Sequence, residues 1–302
     1  MDNFSARIAG LLSGGAAAEA AAIAPQGTAT STGTQLTLYV ADGLLEVLEW
    51  ATDGQAADPP AALWLALLRW YNNRYGAYPE GLPVPPERWI DQHPVSPGHV
   101  EEATTAGLEH PDMGLPRKPH GQDATGTDAL VRAAPLGMLP QVEADWVVNM
   151  SRQVAVLTHG DWRTPTAYSL LIHHVLSGAT LFQAVTHVLD WLAEDDDGAA
   201  LAGQLRTGLG GGVDTPTTAQ TVLAAALGSV ADALAQPVAP EQLYASAVTR
   251  AVNCGGHTQA TALVAGQVMG ALLGDTGTNA VRHLDAAPVL QELVERWVKL
   301  TT

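Results

Sequence analysis

Near the carboxyl end of the chain runs the segment GGHTQATALVAGQVMGALL, residues 255–273. Its alanine, glycine and valine residues leave little side-chain bulk on any face. A helix of this composition lets the backbone of a neighbouring helix approach closely. We therefore predict that residues 260–273 form the buried central helix of a multi-helix domain.

The segments before and after this helix show helical periodicity or helix-start signals, and none alternates in the manner of a β-strand. We predict an all-α fold, with one domain over residues 1–302. Residues 76–125 hold much of the proline together with many histidines and glycines, which predicts an irregular insertion or lid. The other predicted helices are 6–24, 35–52, 61–75, 145–158, 165–176 with Thr164 as N-cap, 181–194, 215–234, 240–253 and 288–300.

Composition excludes several classes of function. The formal net charge of −17 repels phosphate backbones and argues against nucleic-acid binding. Lys118 and Lys299 are the only lysines, so no polybasic membrane patch exists. The single Cys254 excludes an internal disulfide and a cysteine zinc cluster. The amino-terminal apolar run is interrupted by Glu19 and follows Asp2, so we expect no cleaved signal and a soluble cytoplasmic protein.

Five short blocks carry motifs in a fixed order. They are RIAGLL at 7–12 with Glu19, STGTQLTL at 31–38, GTDALVRAAPLG at 126–137, LTHGD at 157–161 and GGHTQATA at 255–262. In that order they resemble R-x-x-G-x-L, T-D-D-T-Q-M-T-L, G-N-G-x-x-M-R-x-A-P-L-G, T-H-x-D and G-G-D-T-D-T-x-A of the ADP-ribosylglycohydrolase family. Each block alone is weak, but the ordered set is specific and spans nearly the whole chain.

This resemblance implies an all-α protein that hydrolyses a glycosidic bond with two magnesium ions bound between its helices. In the family, carboxylates of T-D-D-T and of G-G-D-T-D-T supply oxygen ligands, which magnesium prefers. Two such ions can orient a sugar, activate water and stabilise charge on a leaving group.

The sequence departs from the family at those carboxylates. Thr32 and Gly33 replace the two Asp of T-D-D-T, and His257 and Gln259 replace those of G-G-D-T-D-T. Glu19 replaces the opening Asp and keeps its charge, whereas the family's Glu after the first helix aligns near Gln26. A neutral set of Thr, Gln and imidazole does not offset the dehydration of two Mg²⁺ ions. We predict no dimagnesium centre and no other bound cofactor.

Another chemistry could use the histidines. His257 follows two glycines at a predicted helix start, where an imidazole can act as general base or transition-metal ligand. The candidate acid/base partners are Asp128, His159 and Asp161. None of these has the helical spacing of a zinc motif, so a replacement metal site is the weaker alternative.

A ligand pocket can remain in a protein that has lost its metal ligands. The resemblance places an ADP-ribose or ribosyl ligand at the candidate residues Ser31, Thr32, Gly33, Thr34, Gly126, Thr127, Asp128, Gly256, His257 and Gln259. Asp128 stands at the second Gly of G-N-G, and its charge disfavours a diphosphate. Three hypotheses follow: an inactive homologue with a pocket, a hydrolase with an altered mechanism, and a protein-binding protein whose pocket has collapsed.

Overall fold

A computed structural model describes residues 3–24, 27–139, 141–274 and 281–301. Within these residues thirteen α-helices form and no strand does, so the predicted all-α fold is confirmed. Two 3₁₀ helices, Trp89–Gln92 and Ala134–Gly137, add to them. The α-helices are α1 Asn3–Ile23, α2 Thr32–Thr52, α3 Pro59–Tyr75, α4 Glu102–Glu109, α5 Asp128–Val131, α6 Ala144–Ala155, α7 Arg163–Leu176, α8 Leu181–Ala193, α9 Ala199–Leu209, α10 Ala219–Leu234, α11 Pro240–Asn253, α12 Thr258–Leu273 and α13 Ala287–Thr301.

The centre of the fold is the antiparallel pair α1 and α12, which meet backbone to backbone. Gly10 faces Gly270, and Gly14 faces Gly266 one turn along. A Cβ atom on Gly14 would lie 2.5 Å from the Gly266 carbonyl oxygen, and one on Gly270 would overlap the Gly10 carbonyl. Residues Thr261–Ala271 of α12 are buried without interruption, as the small-residue pattern predicts.

Helix starts are set by local caps, and these explain where the sequence-based bounds were wrong. Thr218 caps α10 by accepting from the Thr221 amide, so the helix begins four residues after the predicted Thr215. Thr164 is not the N-cap of α7. It lies inside the helix, and its amide and hydroxyl both donate to the Asp161 carboxylate.

The segment 76–125 is less irregular than predicted, because it contains the 3₁₀ helix Trp89–Gln92 and helix α4. It is tied firmly to α2 and α3. Arg74 donates to the Gly98 carbonyl at 2.7 Å, and Gln35 donates to the Ser96 carbonyl at 2.7 Å. The Arg88 guanidinium binds the buried Asp42 carboxylate, which also pairs with Arg69.

Helix α9 was missed by the sequence analysis. Its glycine-containing segment lacks a strong apolar stripe, yet it packs on α10 where Gly208 lies against Gly228 and Ala224. Tertiary contact rather than helix propensity therefore accounts for this helix.

The glycine pairs make a prediction about stability. Gly270→Ala is expected to lower the free energy of unfolding by about 1–3 kcal/mol or more, because the new methyl overlaps the Gly10 carbonyl. The matched control is Gly203→Ala on α9, where nothing lies within 4 Å. There the same change is expected to stabilise by roughly 0.5–1 kcal/mol. Urea unfolding of both variants measures this, and equal effects at the two sites would contradict the packing described.

Candidate functional site

Four helix starts converge on one cleft of about 250 Å³. They are the first residues of α2, α4, α5 and α12. Each helix start carries amide groups without intrahelical acceptors and the positive end of the helix dipole. Negatively charged groups are therefore stabilised where these helix starts converge. Carboxylates of the chain itself fill that role.

Glu19 of α1 satisfies the start of α2. Its carboxylate accepts from the Ser31 amide at 2.8 Å, from the Ser31 hydroxyl at 2.8 Å and from the Thr34 amide at 3.3 Å. The Ser31 side chain itself makes no cap bond, so Glu19 takes over that role. A Cβ on Gly33 would lie 2.6 Å from Glu19 Oε1, so this carboxylate occupies the space that a side chain at position 33 would need. Burial raises the pKa of Glu19, although the bonds from Ser31 oppose the shift.

Glu101 and Asp128 each accept hydrogen bonds at the helix start that carries the other residue. The Glu101 carboxylate accepts from the Thr127 amide at 2.6 Å and from the Asp128 amide at 3.1 Å, at the start of α5. The Asp128 carboxylate accepts from the Glu101 amide at 3.1 Å and the Thr104 hydroxyl at 2.8 Å, at the start of α4. Burial and the neighbouring Glu101 raise the pKa of Asp128.

A buried chain of hydrogen bonds stands behind Glu101. His159 Nε2 lies 2.8 Å from Glu101 Oε2, and its Nδ1 lies 2.7 Å from the Thr158 hydroxyl. Because a carboxylate only accepts, Nε2 carries the proton. Arg132 donates to Thr158 at 2.6 Å, and burial lowers the pKa of Arg132 to about 10. These side chains fix the Glu101 carboxylate from the interior side.

The start of α12 forms the opposite wall. Gly255 and Gly256 have φ of 77° and 60°, and a Cβ on Gly256 would lie 2.8 Å from the Pro216 nitrogen. Only glycine fits this turn. The turn holds His257 as the N-cap residue of α12 without a side-chain cap bond. Gln259 reaches across the cleft, where its Oε1 lies 3.2 Å from the Ser31 hydroxyl.

Most of the residues predicted from the motifs meet at this cleft. Those that line it are Ser31, Thr32, Gly33, Thr127, Asp128, Gly256, His257 and Gln259. Thr34 and Gly126 lie just behind the lining, against Glu19 and Glu101 respectively. His159 is only 1% exposed and touches the cleft through Glu101. Asp161 caps α7 and is not among the lining residues. The catalytic and ligand-binding roles of these residues remain predictions.

Sequence reasoning missed Glu101 and His99, both of which line the cleft. Glu101 belongs to none of the five motif blocks and lies in the segment predicted to be irregular. Glu101 is the N-cap residue of α4 but makes no side-chain cap bond to that helix, so no local capping pattern marks it.

Across the part of the chain that the structure describes, no group of three or more His, Cys, Asp or Glu side chains is placed to hold a metal ion. Gln26, near which the family's Glu aligns, lies outside the described residues. Every helix among the described residues is too short or too polar to span a membrane.

The Glu101 bonds predict a pH dependence. Burial acts to raise the pKa of Glu101, but hydrogen bonds from His159 and the Thr127 amide outweigh it and lower the pKa to about 2. A carboxyl whose pKa is depressed on folding stabilises the fold above its unfolded pKa near 4.5 and loses this as pH falls toward 2. Glu101→Gln is expected to flatten that part of the stability curve.

The control for this prediction is Glu102→Gln, which removes the same charge from an exposed neighbour. Thermal unfolding between pH 2 and pH 7 gives the comparison. If both variants keep the slope of the native chain below pH 4.5, the hydrogen bonds assigned to Glu101 are not those that set its pKa.

Comparison with known proteins agrees with the ordered motifs. The profile of the ADP-ribosylglycohydrolase family matches residues 2–301. No curated protein matches the chain at a significant level. Because the family profile covers nearly the whole chain and the fold is all-α, the chain belongs to the ADP-ribosylglycohydrolase family.

Proposed function

We propose that this chain is a member of the family that has lost the dimagnesium centre, no longer catalyses hydrolysis and retains a cleft for a ligand of ADP-ribose or ribosyl type. The observation that carries the proposal is the state of Glu19. This residue keeps the acidic charge of the first motif block, and the Ser31 amide, the Ser31 hydroxyl and the Thr34 amide donate to its oxygens. It serves as a helix cap.

The residues around Glu19 do not fit two magnesium ions. Mg²⁺ takes oxygen ligands in near-octahedral geometry and favours carboxylates. At the two motif positions the cleft offers a Thr32 hydroxyl, a glycine, an imidazole and an amide in place of four carboxylates. The Glu19 carboxylate fills the space beside Gly33, so an acidic side chain at position 33 would collide with it. The Glu19 cap and an acidic side chain at position 33 are therefore mutually exclusive.

Hydrolysis by an altered mechanism is the second candidate, and one observation favours it. Glu101 and Asp128 both line the cleft, and a pair of carboxyl groups is what glycoside cleavage generally uses. Hydrolysis by this pair is the second candidate because each carboxylate already accepts hydrogen bonds from the helix start that carries the other. Release of ADP-ribose from an ADP-ribosylated protein in metal-free buffer, abolished by Asp128→Asn, would support it over the inactive protein.

Metal titration tests the proposal directly. Calorimetric titration with MgCl₂ is expected to show no tight site, and added Mg²⁺ is expected to release no ADP-ribose from an ADP-ribosylated protein. Two tight Mg²⁺ equivalents per chain would overturn the proposal. A parallel titration with ZnCl₂ tests the altered-metal hydrolase, which requires zinc binding that His257→Ala removes.

Restoring the family carboxylates makes a sharper test. The variant Thr32→Asp, Gly33→Asp, His257→Asp, Gln259→Asp is expected to bind Mg²⁺ poorly, because Asp at position 33 meets Glu19 Oε1. Adding Glu19→Asp shortens that side chain by one methylene and is expected to restore Mg²⁺ binding. Equal Mg²⁺ affinity of the two variants would show that Glu19 does not block the site.

A further inference from the structure

A fully buried arginine lies behind the cleft without a carboxylate against it. Arg132 Nη2 donates to the Val154 carbonyl at 3.2 Å and to the Thr158 hydroxyl at 2.6 Å. Its Nε and Nη1 atoms have no hydrogen-bond partner among the described residues. Burying a charge with so few partners costs free energy, and the short bond to Thr158 is the main contact that offsets this cost.

The hydrogen bonds from Arg132 to the cleft can run in one direction only. A guanidinium donates and never accepts, so the Thr158 hydroxyl oxygen is the acceptor. The hydroxyl hydrogen of Thr158 then points at His159 Nδ1, which lies 2.7 Å away. His159 Nε2 donates to the Glu101 carboxylate at 2.8 Å. These directions leave Nδ1 without a proton and the imidazole uncharged.

A charged imidazole would leave this chain of bonds unsatisfied. If Nδ1 also carried a proton, the Thr158 oxygen would accept from both His159 and Arg132. The hydroxyl hydrogen of Thr158 would then have no acceptor among the described residues, and Thr158 is 0% exposed to water. An unpaired buried hydroxyl costs free energy, and so does a second cation one hydroxyl away from the guanidinium.

The charged groups around the imidazole act in opposite directions. The carboxylates of Glu101 and Asp128 favour a charged His159, whereas the guanidinium of Arg132 opposes it. Glu101 accepts from Nε2 in either form of the ring, so its hydrogen bond does not distinguish the two. Only the Thr158 side distinguishes them, and there the neutral form alone satisfies every donor.

We propose that Arg132 is a positioning residue that acts through Thr158 to hold His159 in the neutral form with its proton on Nε2. Glu101 is then fixed by a hydrogen bond rather than by an ion pair and keeps its full negative charge at the cleft. Both ring nitrogens of His159 are engaged, so this histidine does not serve as the acid or base of an altered hydrolysis. The inference goes beyond the proposed function, because it holds whether or not a ligand enters the cleft.

Nitrogen NMR of the full chain with ¹⁵N-labelled histidine tests this inference, because the shifts of Nδ1 and Nε2 separate the neutral tautomers from the charged ring. At about pH 5.5 a histidine of ordinary pKa is mostly charged. The native chain is expected to show His159, assigned with His159→Gln, with a bare Nδ1. The chain unfolded in urea is expected to show charged rings. A native His159 protonated at both nitrogens would overturn the inference without any further variant.

Two variants test the role of Arg132. Arg132→Met fills the space and removes the donor, which frees the Thr158 oxygen to accept from Nδ1. The charged fraction of His159 is expected to rise from about one tenth to more than half at about pH 5.5. Adding Thr158→Val removes that acceptor and is expected to return the ring to its neutral form. The control Arg152→Met removes an arginine that lies over Trp162 and is expected to leave His159 unchanged.

Each result decides one part of the inference. An unchanged His159 in Arg132→Met would overturn the role of Arg132. A ring that stays charged in the double variant would overturn the path through Thr158, since Arg132 would then act by its charge alone. The magnesium titration is independent of these outcomes: a charged His159 in a chain without Mg²⁺ sites sinks the inference and leaves the proposed function standing.

Discussion

The fold around the cleft depends on the attraction between buried carboxylates and helix amino termini. Four helices begin at one place, and each start presents unpaired amides with a partial positive charge. At three of these helix starts, backbone amides donate hydrogen bonds to the carboxylates of Glu19, Glu101 and Asp128. Burying a carboxylate is costly unless donors surround it, so these acids and these helix starts stabilise each other. These hydrogen bonds fix the positions of α1, α2, α4 and α5 relative to one another.

The same constraint applies at two glycines beside the cleft. Bound dications would draw carboxylates toward themselves, whereas here the carboxylates face the protein's own amides. Glycine at positions 33 and 126 makes this geometry accessible, because a Cβ at either position would meet a carboxylate. Positions 19 and 33 are therefore coupled through space, because the Glu19 carboxylate lies where a side chain at position 33 would stand.

Much of the fold could be predicted from sequence, and the reason is local. The alanine and glycine pattern of 260–273 predicted a buried central helix. The predicted start of α3 at residue 61 was two residues late, because Pro59 and Pro60 form its first turn. Helix α9 was missed, because its stability comes from packing of Gly208 on α10. Thr164 was mistaken for a cap, because α7 begins one residue earlier and the Thr164 amide and hydroxyl donate to Asp161. Eight of the candidate residues taken from the ordered motifs line one cleft. Glu101 was missed because its hydrogen-bond partners are distant in sequence.

The glycine contact between α1 and α12 has a consequence for how the cleft responds to an incoming molecule. Backbone lies directly on backbone, with no intervening side chains whose rotamers could change. Glu19 belongs to α1, and α12 begins at the opposite wall of the cleft. The separation between these two walls is thereby fixed before anything binds. A ligand that entered the cleft would therefore meet a preformed backbone geometry, and little conformational entropy of the backbone would be lost on binding.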